Sequence, residues 1–274
     1  MRAYTTHPIV LLNSVPLGDL QTALDAGAVP TIGTLEELAR TTQWSARTGQ
    51  KPRIRVGVLA AVGWSGIDLS TIEALAPDLA ASGLDIEVWS HVPDLELTER
   101  LRSRLAQAVH TIRGSGGRVV GTDIASTYSL VRSGAMGETV RVGVGLFGST
   151  GGGQLEGVRC AIRVEAPVVE TRFVRAGAKV GYGQRQMGKD GDLLTIRCGY
   201  ADGLPKGLAS SSDILSIGMQ YTVMHASGIP QGAGAVSLLE ADSDLDAFAK
   251  KAGIGAHELV TGLGNATNDQ STSP

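Results

Sequence analysis

Residues 180–208 read VGYGQRQMGKDGDLLTIRCGYADGLPKGL, and the rest of the chain is organised around them. Two tyrosines sit in glycine frames, Gly-Tyr-Gly at 181–183 and Gly-Tyr-Ala-Asp-Gly at 199–203. Glycine on either side of an aromatic residue permits tight turns and close approach of another molecule to the backbone. Between the frames, Leu193, Leu194, Ile196 and Cys198 predict a strand. A strand between two such turns holds both phenols at fixed positions. Taken alone, the pattern equally describes two β-turns with surface tyrosines.

The chain has 274 residues, enough for one large or two medium domains with real cores. An apolar content of 42% with 37 glycines suits an α/β protein rather than a disordered one. A net charge of -3 makes no electrostatic case for nucleic acid or an anionic membrane. Two cysteines, Cys160 and Cys198, suggest no disulfide framework and point to a reducing cytoplasm. No apolar run reaches the length of a membrane span. The N-terminal MRAYTTHPIVLLNS is too short in its apolar part for a cleavable signal, so it is read as a buried strand.

Over residues 1–150, strand-like runs alternate with helical patterns. The runs are Pro8–Leu12, Val29–Ile32, Arg53–Leu59, Asp85–Trp89, Arg118–Gly121 and Val140–Phe147. The helical patterns lie over 17–27, 35–43, 70–83 and 95–114, with Thr34 and Glu37 spaced as a capping box and Ser70 or Thr71 as the third cap. This alternation predicts βα units and a parallel sheet. A Gly-rich link, TGGGQLE at 150–156, marks a domain boundary. Beyond it come short strands over 158–164, 168–173, 193–198, 214–217 and 235–239, the pattern of an antiparallel β domain. A helix capped by Asp242 or Ser243, a short second helix over 257–263 and a disordered polar tail close residues 151–274.

The two tyrosine frames recur at the spacing and order of V-S-Y-G and G-Y-A-D-G in the C-terminal domain of alanine racemase, a pyridoxal-phosphate enzyme, and the chain resembles that family. The resemblance implies that Tyr182 is a catalytic acid/base and that Tyr200 helps form the substrate site. Arg141 opens Arg-Val-Gly-Val-Gly-Leu-Phe-Gly, which is similar to the family's R-P-G-I-x-L-Y-G. By that resemblance Arg141 faces the pyridine nitrogen of the coenzyme, and the backbone amides of Gly143 and Val144 bind its phosphate. His91, in Val-Trp-Ser-His, matches S-H-F-A, where a histidine stacks on the coenzyme ring. The same residues also read as an arginine at a strand start and a polar rim histidine.

The resemblance implies a TIM barrel followed by a β domain. Such a barrel has eight strands, and the sequence offers six. The expectation is an α/β plus β fold: a partial TIM-type βα barrel of about six strands over 1–150, its first two βα units missing, then the β domain over 151–274. An open parallel sheet leaves two edges unpaired, so a second copy or another chain is expected to cover them.

Several departures bear on activity. The coenzyme-binding lysine of the family stands in a V-K-A-N-A-Y-G-type segment with no counterpart here. The six lysines, Lys51, Lys179, Lys189, Lys206, Lys250 and Lys251, lie outside every apolar barrel strand. Where the family reads K-x-D-T-G-M-x-R-x-G, the chain has Arg55 to Trp64 (RVGVLAAVGW), with no arginine at the motif's R position to hold the substrate carboxylate. Where it reads I-H-x-x-N-S, the chain has Val120-Gly121-Thr122-Asp123-Ile124-Ala125-Ser126, placing Ala125 at the phosphate serine unless Ser126 shifts in. His257 stands where the family has a C-terminal tyrosine. Three accounts remain. One is a racemase-like isomerase subunit whose partner chain supplies the lysine. Another is a silent relative binding pyridoxal phosphate, an amino acid or a protein. The third is an ordinary racemase whose true start lies upstream, against which the internal departures stand.

Overall fold

The structure, a computed structural model, describes residues 5–60, 66–91, 98–133, 138–152, 156–210, 213–241 and 243–267. It divides into two compact units, Met1–Arg141 and Val142–Pro274.

Unit 1 is built from β1 (Ile9–Val10), α1 (Leu17–Asp25), β2 (Ala28–Val29), α2 (Leu35–Thr48), β3 (Arg53–Val58), α3 (Leu69–Ser82), β4 (Asp85–Ser90), α4 (Thr98–Gly114), β5 (Arg118–Ser126), α5 (Thr127–Ser133) and β6 (Thr139–Arg141). All pairings among these strands are parallel: β1 with β2, and β3, β4, β5 and β6 in that order. A parallel bridge from Thr31 to Arg55 carries the chain after β2 alongside β3. The helix starts follow the expected chemistry. Thr34 accepts from the Glu37 amide at 3.2 Å, and Glu37 Oε2 accepts from the Thr34 amide at 3.0 Å. In α3, Asp68 rather than Ser70 or Thr71 is the cap, accepting from the Thr71 amide at 2.8 Å. A carboxylate two residues ahead of Ser70 serves the free amides of a first turn equally well. The start expected for α4 at 95 and the segment 61–64 lie outside the described residues.

The core of unit 1 lies between one face of the sheet and α2, α3 and α4. Ile54, Val56, Val58, Ile86 and Val88 pack against Leu38, Ile72, Leu79, Leu101 and Ile112, all nearly inaccessible. The opposite sheet face is buried too, as parallel sheets require, and that face carries charge.

Unit 2 has an antiparallel sheet in the order β11-β12-β10-β7-β13. Its strands are β7 (Val164–Val174), β10 (Gly191–Ile196), β11 (Ile214–Ile217), β12 (Thr222–His225) and β13 (Ala235–Leu239), and a hairpin of β8 (Lys179–Val180) and β9 (Arg185–Gln186) stands apart. The sequence placed one strand over 140–147 and another over 158–164. Instead β6 stops at Arg141, Val144–Phe147 is a 3-10 turn, and residues 158–163 are irregular. Glycines at 143, 145 and 148 break the strand there. The sequence caps of the next helix give way to Asp244, which starts α6 (Leu245–Ala252) by accepting from the Ala247 amide at 2.9 Å. The last helix, α7 (Ala256–Thr267), runs past the expected end at 263. Among the described residues, no helix is long and apolar enough to cross a membrane.

Candidate active site

Strand alternation decides what unit 1 shows on its charged face. Where Ile54, Val56 and Val58 enter the helical core, Arg55 and Gly57 point the other way. Register then sets Arg55 beside Glu87, Gly57 beside Trp89, and Trp89 beside Asp123. Glycine at 57 leaves room for the Trp89 indole, since an added Cβ would stand a tight 3.1 Å from its Cε2 and Cζ2.

These residues form an ionic cluster around one aromatic ring. Arg55, 2% exposed, donates from Nη2 to Asp123 Oδ2 at 2.6 Å and lies with Nε 3.3 Å from Glu87 Oε2. Arg53 reaches the other oxygen of Glu87 at 2.7 Å. From the end of β6, Arg141 Nε lies 3.0 Å from Asp123 Oδ2, and Nη2 donates to the Ser90 carbonyl at 2.5 Å. Each guanidinium centre lies 5.0 Å from the Trp89 ring centroid, so the indole is flanked by two cations. Burial pulls the Arg55 guanidinium below its usual value, and the charge of Asp123 opposes that shift. Arg55 Nη1 and Trp89 Nε1 are buried with no hydrogen-bond partner among the described residues.

His91 follows β4 and is half-buried. Burial first, and then the charge of Arg141, hold its imidazole below the usual value, while Asp123 pulls the other way. Ser126 ends β5 in register with Arg141. Its amide donates to Ser129 Oγ at 2.7 Å, and the two hydroxyl oxygens are 3.3 Å apart. Ser126, not Ala125, therefore closes the strand beside Arg141.

The other expected site residues belong to unit 2. Gly143 precedes the 3-10 turn that Val144 opens, and the Leu146 amide donates to the Gly143 carbonyl at 3.0 Å. Tyr182 occupies the turn between β8 and β9, which needs Gly181 at φ 65 against the Ser216 side chain. Arg185 fastens the hairpin by donating to the Ala209 and Ile214 carbonyls at 3.0 and 3.1 Å. At the tip, Tyr182 is 90% exposed. Tyr200 starts a second turn, and its amide donates to the Gly218 carbonyl at 3.0 Å. The Tyr182 ring lies beside Gly218 too, so the segment Gly218–Tyr221 brings the tyrosine turns together. Lys206 Nζ sits 4.0 Å from the centre of the Tyr200 ring.

Thus His91 and Arg141 share a neighbourhood in unit 1, and Tyr182 and Tyr200 share one in unit 2. The sequence reading missed the cluster that holds Arg141. Its signal was a charged residue in each of two apolar strands, Arg55 in Ile-Arg-Val and Asp123 in Thr-Asp-Ile. Buried charges come paired.

The model of the alanine racemase N-terminal domain matches residues 1–151, and that of the alanine racemase C-terminal domain matches residues 161–270. A catabolic alanine racemase of Rhizobium johnstonii is 27% identical over 286 residues, covering 96% of this chain and 74% of the relative. The structure of alanine racemase from D-cycloserine-producing Streptomyces lavendulae superimposes with a TM-score of 0.83 at 19% identity, over 95% of this chain and 77% of that one. Alanine racemase from Bartonella henselae, solved with covalently bound pyridoxal phosphate, gives 0.79 at 20% identity, over 93% and 76%. The fold is therefore of the TIM-barrel plus β-domain type.

Proposed function

This chain belongs to the alanine racemase family, and on that premise we propose that it is a racemase-like isomerase subunit that works on an amino acid together with a partner chain. The finer architecture goes with this reading. Residues 1–150 are taken as a partial barrel, six strands where the closed form has eight, and residues 151–274 as the β domain.

Pyridoxal phosphate is the coenzyme that the family implies, and the residues of this chain do not fit it as a covalent holder. Of the six lysines, Lys51 alone falls within Met1–Arg141, and it stands exposed just ahead of β3. Lys206 lies over Tyr200. The Nε–H of Arg141, proposed to face the pyridine nitrogen, is spent on Asp123. His91, Arg141, Gly143, Val144 and Ser126 are left as proposed contacts to the ring and phosphate of a coenzyme whose amine partner comes from elsewhere.

Racemisation takes a proton from one face of the α-carbon and returns one to the other, which needs two groups on opposite sides. Tyr182 is proposed as one of them and Tyr200 as its neighbour toward the substrate. The observation that carries this is the exposure of Tyr182, 90%, on a hairpin fastened by Arg185. A phenol standing in water is a poor catalyst. A fixed phenol that a second chain covers can act in the water-excluded site that proton transfer favours. The partner is thus a lysine-bearing racemase-like chain, and the assembly is expected in the cytoplasm. The test is racemisation of alanine by this chain alone, by such a chain with its own tyrosine removed, and by the mixture. Activity confined to the mixture supports the proposal, and a mixture no more active than its parts contradicts it.

A second reading, a silent relative that binds the coenzyme, an amino acid or a protein, draws on the engagement of Arg141 by Asp123 and the Ser90 carbonyl. It predicts no racemisation in any mixture.

A further inference from the structure

Lys206 stands over the Tyr200 ring, its Nζ 4.0 Å from the centre. Both residues lie in unit 2, and the loop that joins them is fixed from behind. Leu204 and Leu208, on either side of Lys206, are 1% exposed. Gly207 lies against the Ala252 carbonyl of α6, and Gly203 against the Gly262 carbonyl of α7. Lys206 opens a 3-10 turn over Lys206–Ser210, and the Leu208 amide donates to the Pro205 carbonyl at 3.1 Å. The Lys206 side chain is exposed, as is Tyr200. Among the described residues no ion pair involves the Lys206 ammonium. Arg185, at the Tyr182 turn, is by contrast spent on the Ala209 and Ile214 carbonyls.

An α-amino acid brings a carboxylate, and binding it out of water needs a cation. No arginine stands at the R position of the stretch from Arg55 to Trp64, so that cation has to come from elsewhere. An ammonium poised over an aromatic ring suits the task. The ring attracts the charge through its face, and the N–H donors stay available for carboxylate oxygens. The ring contact also narrows the rotamers of a flexible side chain before a ligand arrives, which lowers the ordering cost of binding. We propose that Lys206 holds the α-carboxylate of the amino acid and so places it beside Tyr200. The inference rests on the racemase reading for the identity of the ligand. It gives Lys206 a role in binding and none in covalent chemistry.

The first test reads Lys206 itself, without catalysis. Reductive methylation of the full chain with carbon-13 formaldehyde marks the lysines and keeps their charge. The Lys206 signal is assigned by its loss in Lys206→Arg and followed by NMR as L-alanine or L-alaninamide is added. Alanine is expected to shift that signal saturably and about tenfold more tightly than alaninamide, with the signals of the other lysines unmoved. No response, or an equal response to both ligands, overturns the proposal. The second test uses the mixture with a lysine-bearing chain. There Lys206→Met is expected to raise KM for alanine about tenfold and to leave kcat within about threefold, the pattern of lost ligand binding. Lys206→Arg is expected to return KM toward wild type. An unchanged KM in Lys206→Met overturns the proposal, and far-UV circular dichroism of both variants keeps a loss of fold distinct from a loss of binding. A wild-type mixture that does not racemise defeats the racemase reading instead, and the NMR titration then decides by itself whether Lys206 takes the carboxylate.

Discussion

Asp123 stands 2.6 Å from Arg55 across the buried face of the parallel sheet, and neither side chain is more than 4% exposed. The pair explains how an arginine sits inside a strand that is otherwise core: Asp123 also holds Arg141 at the rim. Removing one partner of such a pair leaves an uncompensated buried charge. Asp123→Ala is expected to cost about 3–5 kcal/mol of stability, read by urea denaturation. A cost near zero would mean that the cluster contributes nothing to folding.

In unit 2, Asp246 gathers the loop ahead of it. Its carboxylate accepts from Ser149 Oγ at 2.5 Å and from the Thr150 and Gly152 amides at 2.8 and 3.3 Å. Burial alone would raise this carboxyl, but the hydrogen bonds outweigh it and hold it below the usual value. A carboxyl lowered by folding contributes stability at pH above its ordinary value, and that contribution is lost as pH falls through the folded value. Asp246→Ala is expected to cost about 1–3 kcal/mol at neutral pH, with the gap to wild type closing in acid. A gap that stays constant with pH would place the effect elsewhere.

Burial and the nearby Asp202 push the Cys198 thiol up to about 11. Since the thiolate is the reactive form, Cys198 is expected to resist alkylation at neutral pH until the chain is unfolded. Peptide mass mapping reads the outcome, and rapid labelling of native protein would contradict the burial described.

Tyr182→Phe removes one hydroxyl from a side chain that is 90% exposed, so the melting temperature should not move. In a mixture with a lysine-bearing chain that lacks its own tyrosine, the same change is expected to lower racemisation by about 10²–10⁴-fold. An unchanged rate would remove Tyr182 from the chemistry.

Much of this architecture was legible in the sequence because it rests on local rules. The first five parallel strands and the α2 capping box follow from apolar periodicity and from Thr34 and Glu37. The frames around Tyr182 and Tyr200 led to their turns, since glycine there answers a backbone need at 181. What stayed hidden depends on register between distant strands. Nothing near Arg55 in the chain announces Asp123, 68 positions away. The strand drawn from 140 to 147 failed because apolar Val and Leu outvoted the glycines between them, and in the fold those glycines win. That Ser126 lies beside Arg141 likewise depends on the pairing of β5 with β6.

The central claim is that this chain belongs to a racemase assembly without itself holding the coenzyme covalently. The direct test incubates purified chain with pyridoxal phosphate, reduces with borohydride, and maps any modified lysine by mass, alone and with a lysine-bearing racemase-like chain. The account predicts no stoichiometric adduct on Lys51, Lys179, Lys189, Lys206, Lys250 or Lys251 in either sample, with the label on the partner in the mixture. A single, fully occupied lysine on this chain alone would contradict it.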